Sequence, residues 1–315
     1  MQEVEQFEEP LEEPLDLGAR HIWAIGGGKG GVGKSFVSAN LAVGLAQRGN
    51  HVVVVDADLG GANMHTCLGI DHPPHTLADF IDNRVGTLEE IMLTTEVPRL
   101  KLISGASDIL SLANPQYSQK QKLLRHLKRL RADYILLDLG AGTTYNVLDF
   151  FNLAHTRLVV VTPEPTSIQN GYGFIKSALF RALQRQFSQV ALINDMLKGS
   201  GKFADENAPR TVRQMSDYLL KESPELGRQF QTVVQEYKLK LILNMTTADQ
   251  TETTWRTVRT VSRGFLSVDL ELVGAVERDE KVQRSVEISR PVLLSAPESE
   301  SARRIRGILD KLTRP

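Results

Sequence analysis

Residues 22–35, I-W-A-I-G-G-G-K-G-G-V-G-K-S, decide the fold. Apolar residues suited to a buried strand run into a glycine-rich turn, and helical patterning begins at Lys34. Gly28, Gly33, Lys34 and Ser35 match G-x-x-x-x-G-K-[ST], a phosphate-binding loop. Glycines let backbone N–H groups curl into a nest around phosphate oxygens, and the helix that follows offers its positive end. Lys34 is placed to bridge the β- and γ-phosphates, and the Ser35 hydroxyl to ligate Mg²⁺.

Working outward, Phe36, Val37, Leu41 and Leu45 suit a helix buried against a sheet, with Gly49 where a C-cap is expected. His51 to Asp58 ends V-V-V-V-D-A-D, the continuous β-branched run that a parallel strand buried on both faces requires. Its carboxyl end carries Asp56 and Asp58 to the place where open α/β sheets bind ligands. Tyr134 to Asp138, Y-I-L-L-D, is a second such strand, its aspartate suited to holding Mg²⁺ through water. Gly140 and Gly142 follow, able to bring backbone N–H groups close to a γ-phosphate. Further strands are expected at 100–104, 157–162, 239–245 and 270–276. About seven β-runs alternating with helices predict a doubly wound, mainly parallel α/β sheet with helices on both faces, spanning residues 20–315.

Between the strands, 68–97 reads as helical and loop-like, with a short amphipathic piece at 76–81. The 119–131 stretch puts Leu123, Leu124, Leu127 and Leu130 on one helical face and bases on the remainder. Ser167 is a candidate N-cap for the next helix. Residues 181–237 then form an insertion, with helices expected at 211–221 and 224–237 and a flexible polar loop at 198–207. Helices are also expected at 252–263 and 279–288. At the C-terminus Ile305, Ile308, Leu309 and Leu312 line one helical face; without Phe or Trp it reads as a core helix rather than a membrane-targeting one.

Apolar content of 41% and charged content of 24% are those of a soluble globular protein, and no run is long enough to span a membrane, so a cytoplasmic location is expected. Cys67 is the single cysteine, which excludes a disulfide framework and a Cys-x-x-Cys metal site within one chain. Residues 1–19 hold seven acids and no base, with tandem E-E-P-L at 8–11 and 12–15, and read as a disordered acidic tail. All 37 lysines and arginines therefore fall in the rest of the chain, against 31 of the 38 acids, so the body is mildly basic. That balance permits weak attraction to nucleic acid or anionic lipid without demonstrating either.

Lys29 adds a lysine that an ordinary phosphate loop does not require. K-G-G-V-G-K-S resembles the deviant Walker A motif of the MinD/ParA group of ATPases. D-A-D-L-G-G-A-N at 56–63 and D-L-G-A-G at 138–142 resemble its two switches, and T-P-E-P-T-S at 162–167 resembles the flagellar-number regulators FlhG and FleN within the group. The single cysteine argues against relatives that carry iron–sulfur clusters.

The resemblance implies ATP and Mg²⁺ as ligands and an ATP-sandwiched homodimer that slow hydrolysis resets. Lys29 would reach the partner's phosphates like an arginine finger, beside Lys34 and Asp58 as catalytic residues, with Asp58 orienting the attacking water. Ser35, Asp56 and Asp138 would serve the metal. Nucleotide contacts would come from Gly28, Gly30, Gly31, Val32, Gly33, Lys34, Ser35 and Phe36, with Gly140, Pro163 and the adenine-reading Asn244; Asn63 would lie near the dimer partner. A protein partner would engage the insertion or the acidic tail. Membrane contact has no clear targeting helix behind it, and DNA is the less favoured ligand. The alternatives are a ParA-like DNA-partitioning ATPase, an ATP-dependent metabolic ligase of the same fold, and a nucleotide-bound scaffold that does not hydrolyse.

Overall fold

Period-two alternation in the central strands divides the molecule into two hydrophobic layers. In β1 (His21–Gly26) Trp23 and Ile25 face one layer and Ile22 and Ala24 the other; in β2 (Val52–Ala57) Val52 and Val54 are opposed to Val53 and Val55. Every one of these side chains is buried, as expected of a sheet covered on both faces. The structure is a computed structural model and describes residues 21–105 and 117–314; the expected acidic tail at 1–19 lies outside them.

Six further strands complete one sheet: β3 (Met92–Thr94), β4 (Leu100–Ile103), β5 (Tyr134–Leu139), β6 (Thr156–Val161), β7 (Leu239–Thr246) and β8 (Leu270–Glu277). Their order is β3-β4-β2-β5-β1-β6-β7-β8, all parallel except β3, which pairs antiparallel with β4 at the edge. The sheet thus has eight strands rather than about seven. Three residues of β3 are too few to show a period, so 92–94 read as loop.

The helices α1 (Lys34–Gln47), α2 (Met64–Cys67), α3 (Leu77–Ile81), α4 (Tyr117–Arg129), α5 (Tyr145–Leu153) and α6 (Pro165–Gln186) precede the insertion. The segment expected to be an insertion carries α7 (Ala191–Lys198), α8 (Val212–Glu222) and α9 (Pro224–Glu236). After it come α10 (Ala248–Val261), α11 (Glu280–Glu287), α12 (Val292–Ser295) and α13 (Glu300–Leu312). One layer joins α1 to α12 and α13, where Ile305, Ile308 and Leu309 are buried, so the last helix is a core element as expected. Gly44 and Gly274 allow that contact: a Cβ there would lie 2.3 Å from Leu309 and 2.4 Å from Ile308. The other layer holds α3 to α6 and continues into the insertion through Ile193, Met215, Leu219, Phe230 and Tyr237.

Several boundaries differ from the sequence reading. Ser167 does not cap α6; Pro165, whose ring presets the helical φ, opens the helix, and the Ser167 hydroxyl instead accepts the Thr162 N–H at 3.0 Å. Helix α6 runs to Gln186, past the expected start of the insertion at 181, and α7 adds a helix that was not expected. The stretch expected as a flexible loop at 198–207 contains a 3₁₀ turn, Gly201–Phe203, that buries Phe203. Helix α10 starts at Ala248 because Thr247 and Gln250 form a capping box.

Candidate nucleotide site

The order of the strands reverses at β1, flanked by β5 and β6, and the phosphate loop leaves β1 into the resulting crevice. Three glycines let the loop fit there. A Cβ on Gly28 would lie 1.9 Å from the Asn170 carbonyl oxygen on α6, while Gly31 (φ +78°) and Gly33 (φ +88°) adopt left-handed backbone. On Gly33 a Cβ would also meet the Asn244 amide at 2.2 Å.

Lys34 is buried, and burial holds its ammonium below the usual lysine range despite the pull of Asp138 and Asp58. Register sets Asp56 beside Asp138 on neighbouring strands, both at the carboxyl edge. Asp138 accepts a hydrogen bond from Ser38 at 2.7 Å and another from Ser35, yet burial pushes its carboxyl up to about 6. Burial, then the Asp138 charge, raises Asp56 to about 7. Asp56 spends its oxygens on backbone: it accepts the N–H groups of Asp58 (3.1 Å), Asn63 (2.9 Å) and Met64 (2.9 Å), stapling the 58–64 turn. The half-buried Asp58 stands against the second glycine turn, where a Cβ on Gly140 would lie 2.9 Å from its Oδ1.

Lys34 and Asp58 border a cavity of about 900 Å³. Gly30, Gly31 and Gly33 face it from the loop and Lys34, Ser35 and Phe36 from the start of α1; Asp58 faces it from the end of β2, Asn63 from the turn before α2 and Asn244 from β7. Gly28, Lys29, Val32, Asp56, Asp138, Gly140 and Pro163 lie outside the lining, Pro163 because it belongs to the turn between β6 and α6. Asn244 is almost fully buried and donates its amide N–H to the Val32 carbonyl at 2.9 Å, so it holds the phosphate loop in place. Lys29 faces solvent instead, its ammonium on the Thr166 hydroxyl at 3.0 Å.

The far wall was not read from the sequence. It comes from Arg278, Asp279, Gln283 and Val286, at the end of β8 and along α11. Arg278 reaches Glu164 (3.3 Å) and the Met245 carbonyl (3.2 Å), fastening that wall to the turn before α6. The available signal was E-R-D at 277–279, charge placed directly after a parallel strand.

A glycine nest with a buried lysine at a helix start, and paired acids on adjacent strand ends, define a P-loop nucleoside triphosphatase. The chain belongs to the ParA/MinD family of these proteins. The model of that family, described as "ParA: NUBPL iron-transfer P-loop NTPase", matches residues 18–197. The chain is 30% identical to the antiactivator FleN of Pseudomonas aeruginosa over 301 residues, covering 94% of this chain and 88% of FleN. It is 38% identical to the flagellum site-determining protein YlxH of Helicobacter pylori over 160 residues, 49% of this chain and 52% of that protein. The solved structure of the septum site-determining protein MinD with Mg-ADP from Pyrococcus horikoshii has the same fold, with a TM-score of 0.64 at 20% identity over 94% of this chain and 96% of that one.

The iron transfer in the family description finds no thiolate site in this chain. Cys67 is the single cysteine, and burial pushes its thiol up to about 11.

Proposed function

We propose that the chain binds ATP with Mg²⁺, closes into a face-to-face homodimer over the nucleotides, and is released by slow hydrolysis. The position of Lys29 carries this reading. Lys34 lies in the cavity wall beside its own phosphate site, while Lys29, five residues earlier, is exposed and outside that wall. A lysine so placed is better suited to the phosphates of a second copy than to its own. Asp58, half-buried and in the wall, suits the alignment of a water for in-line attack.

The oxygen donors at the crevice fit a hard divalent cation: the Ser35 hydroxyl and the buried Asp138 carboxylate, with Asp56 behind them. Bound there, Mg²⁺ would neutralise charge on the phosphate oxygens. Asn244 keeps a second amide hydrogen and its carbonyl for a base, which supports adenine reading at that end of the cavity.

A protein partner is favoured over DNA, because the Pseudomonas relative is named an antiactivator and one structural neighbour is a MinC:MinD complex. Among the described residues no helix is long and apolar enough to cross a membrane.

The test is light-scattering mass for wild type and Asp58→Ala, each with ADP and with ATP plus Mg²⁺. A dimer with ATP alone, more persistent in Asp58→Ala, is the expected result. A mass indifferent to nucleotide in both proteins refutes the sandwich and favours the ligase or scaffold reading.

A further inference from the structure

Helices α8 and α9 pack on each other, and a cavity of about 300 Å³ lies between them and the turn that follows α10. That turn, Ser262–Leu266, is π-helical and ends at Ser267, whose backbone is left-handed (φ +55°). Turns of this kind recur at functional sites. Local hydrogen bonds fix the two helices. Thr211 and Gln214 form a capping box on α8, and the Ser223 hydroxyl accepts the Leu226 N–H at the start of α9. The side chains that face the cavity take no part in this capping.

Arg213 and Asp217 line it from α8, one turn apart and so roughly 6 Å along the axis. Gln231 and Gln235 line it from α9 with the same spacing, and Ser267 joins them from the end of the π turn. None of these five side chains makes a hydrogen bond or ion pair with another described residue. Arg213 and Asp217 are exposed and stay apart although their spacing would let them pair. Between them Ser216, also in the lining, is only 7% exposed, and its hydroxyl has no hydrogen-bond partner among the described residues. A serine inside a helix ordinarily returns its hydroxyl to the carbonyl one turn back. A buried hydroxyl left unpaired is unfavourable and calls for a partner.

We propose that this cavity is a second ligand site and that it takes a free α-amino acid. Its charges select the class. A lone anion would be repelled by Asp217 and a lone cation by Arg213, so a ligand that carries both charges a short distance apart satisfies the pair. The Arg213 guanidinium takes the carboxylate, for which its fork of N–H groups is suited, and the Asp217 carboxylate takes the ammonium. Gln231 and Gln235 offer both donors and acceptors to the remainder of the ligand, and a change of χ1 rotamer brings the Ser216 hydroxyl to it. The volume is at the small end for ligand sites, which suits an amino acid and is too small for a second nucleotide. The inference stands apart from the nucleotide reading, because α8, α9 and the π turn contribute no residue to the wall of the nucleotide cavity.

The test screens the full chain, without nucleotide, against each of the protein amino acids at millimolar concentration by thermal melting, and follows every hit by titration calorimetry. At least one amino acid should raise the melting temperature by roughly 2–4 °C. Arg213→Ala and Asp217→Ala should each weaken its binding at least about tenfold. Both side chains are exposed and unpaired, so the ligand-free variants should melt within about 1–2 °C of wild type, and a loss of binding is then a loss of the site. Ser216→Ala should also weaken binding while leaving the ligand-free melting temperature unchanged or higher, which a purely structural serine would not do. Three results would overturn the proposal: no amino acid that binds, binding that survives Arg213→Ala and Asp217→Ala, or equal binding of the corresponding 2-hydroxy acid, which lacks the ammonium.

Discussion

Removal of the Asp149 carboxylate tests how firmly the second glycine turn is anchored. Asp149 is almost fully buried in α5, two turns after Gly142, and three cations from two other helices converge on it. Lys120 of α4 lies 2.5 Å from Oδ2; Arg181 of α6 donates at 2.7 and 3.0 Å, and Arg185 stands at 3.6 Å. Burial alone would raise the carboxyl, but hydrogen bonds from Arg181 and Lys120 outweigh it and hold the group below the usual aspartate range.

Asp149→Ala breaks a buried ion pair by removing one partner, a defect that costs about 3–5 kcal/mol. Against a total stability of roughly 5–15 kcal/mol this is severe, and the melting temperature should fall by roughly 6–10 °C. The apolar replacement Lys120→Met/Asp149→Leu should recover more than half of that loss, since it removes the charge together with its partner. Because the folded carboxyl is depressed, its contribution is fully present above the ordinary aspartate range and disappears as pH falls through the lowered value. Wild type should therefore lose stability more steeply below about pH 4 than Asp149→Asn does. Scanning calorimetry measures all three. A melting temperature for Asp149→Ala within 1–2 °C of wild type, or a double variant no better than the single, refutes the reasoning.

Gly28→Ala should abolish binding of a fluorescent ATP analogue, because its methyl would meet the Asn170 carbonyl, a backbone atom that cannot turn aside. Lys34→Ala should lose nucleotide binding, whereas Lys29→Ala should keep it within about threefold and lose only the ATP-dependent dimer; equal loss of binding in both would place Lys29 at its own phosphates. Asn244→Ala removes one buried hydrogen bond to the phosphate loop, worth about 1 kcal/mol, so nucleotide affinity should drop roughly fivefold by titration calorimetry. Gly44→Val should lower the melting temperature markedly, because its side chain would displace Leu309 of α13; no change would mean that the last helix is not packed as a core element.

The phosphate loop and the strands around it were legible because their chemistry fixes residue type and order together. Contact with phosphate requires glycine, and a strand buried on both faces requires an unbroken apolar run. Contacts made across the fold leave no such local trace. The Asn244 amide is committed to Val32, 212 residues away, and nothing in the strand 239–245 announces it. Helix α6 runs through Gly171 and Gly173, residues that weaken a helical pattern. Yet a Cβ on Gly171 would lie 2.8 Å from Val161, so glycine there serves close packing on β6 rather than ending the helix. The far wall of the cavity likewise depends on where β8 and α11 fall relative to β7. That is topology, which the sequence pattern of 277–287 does not contain.

Three aspartates at the crevice have the same side chain and different capacities, and burial separates them. Asp138 is almost fully buried and its carboxylate is met by two serine hydroxyls. Asp56 accepts three backbone N–H groups and fixes the course of the 58–64 turn. Only Asp58 is partly open to the cavity, and its neighbour is Gly140, whose missing side chain leaves just enough room for the carboxylate. A carboxylate that reaches solvent can meet a water, whereas one saturated by backbone cannot. The contact between Asp58 and Gly140 is also where the turn after β2 touches the turn after β5. The contact therefore joins the two turns, and α5 leads on from the second to the ion cluster at Asp149 that ties it to α4 and α6.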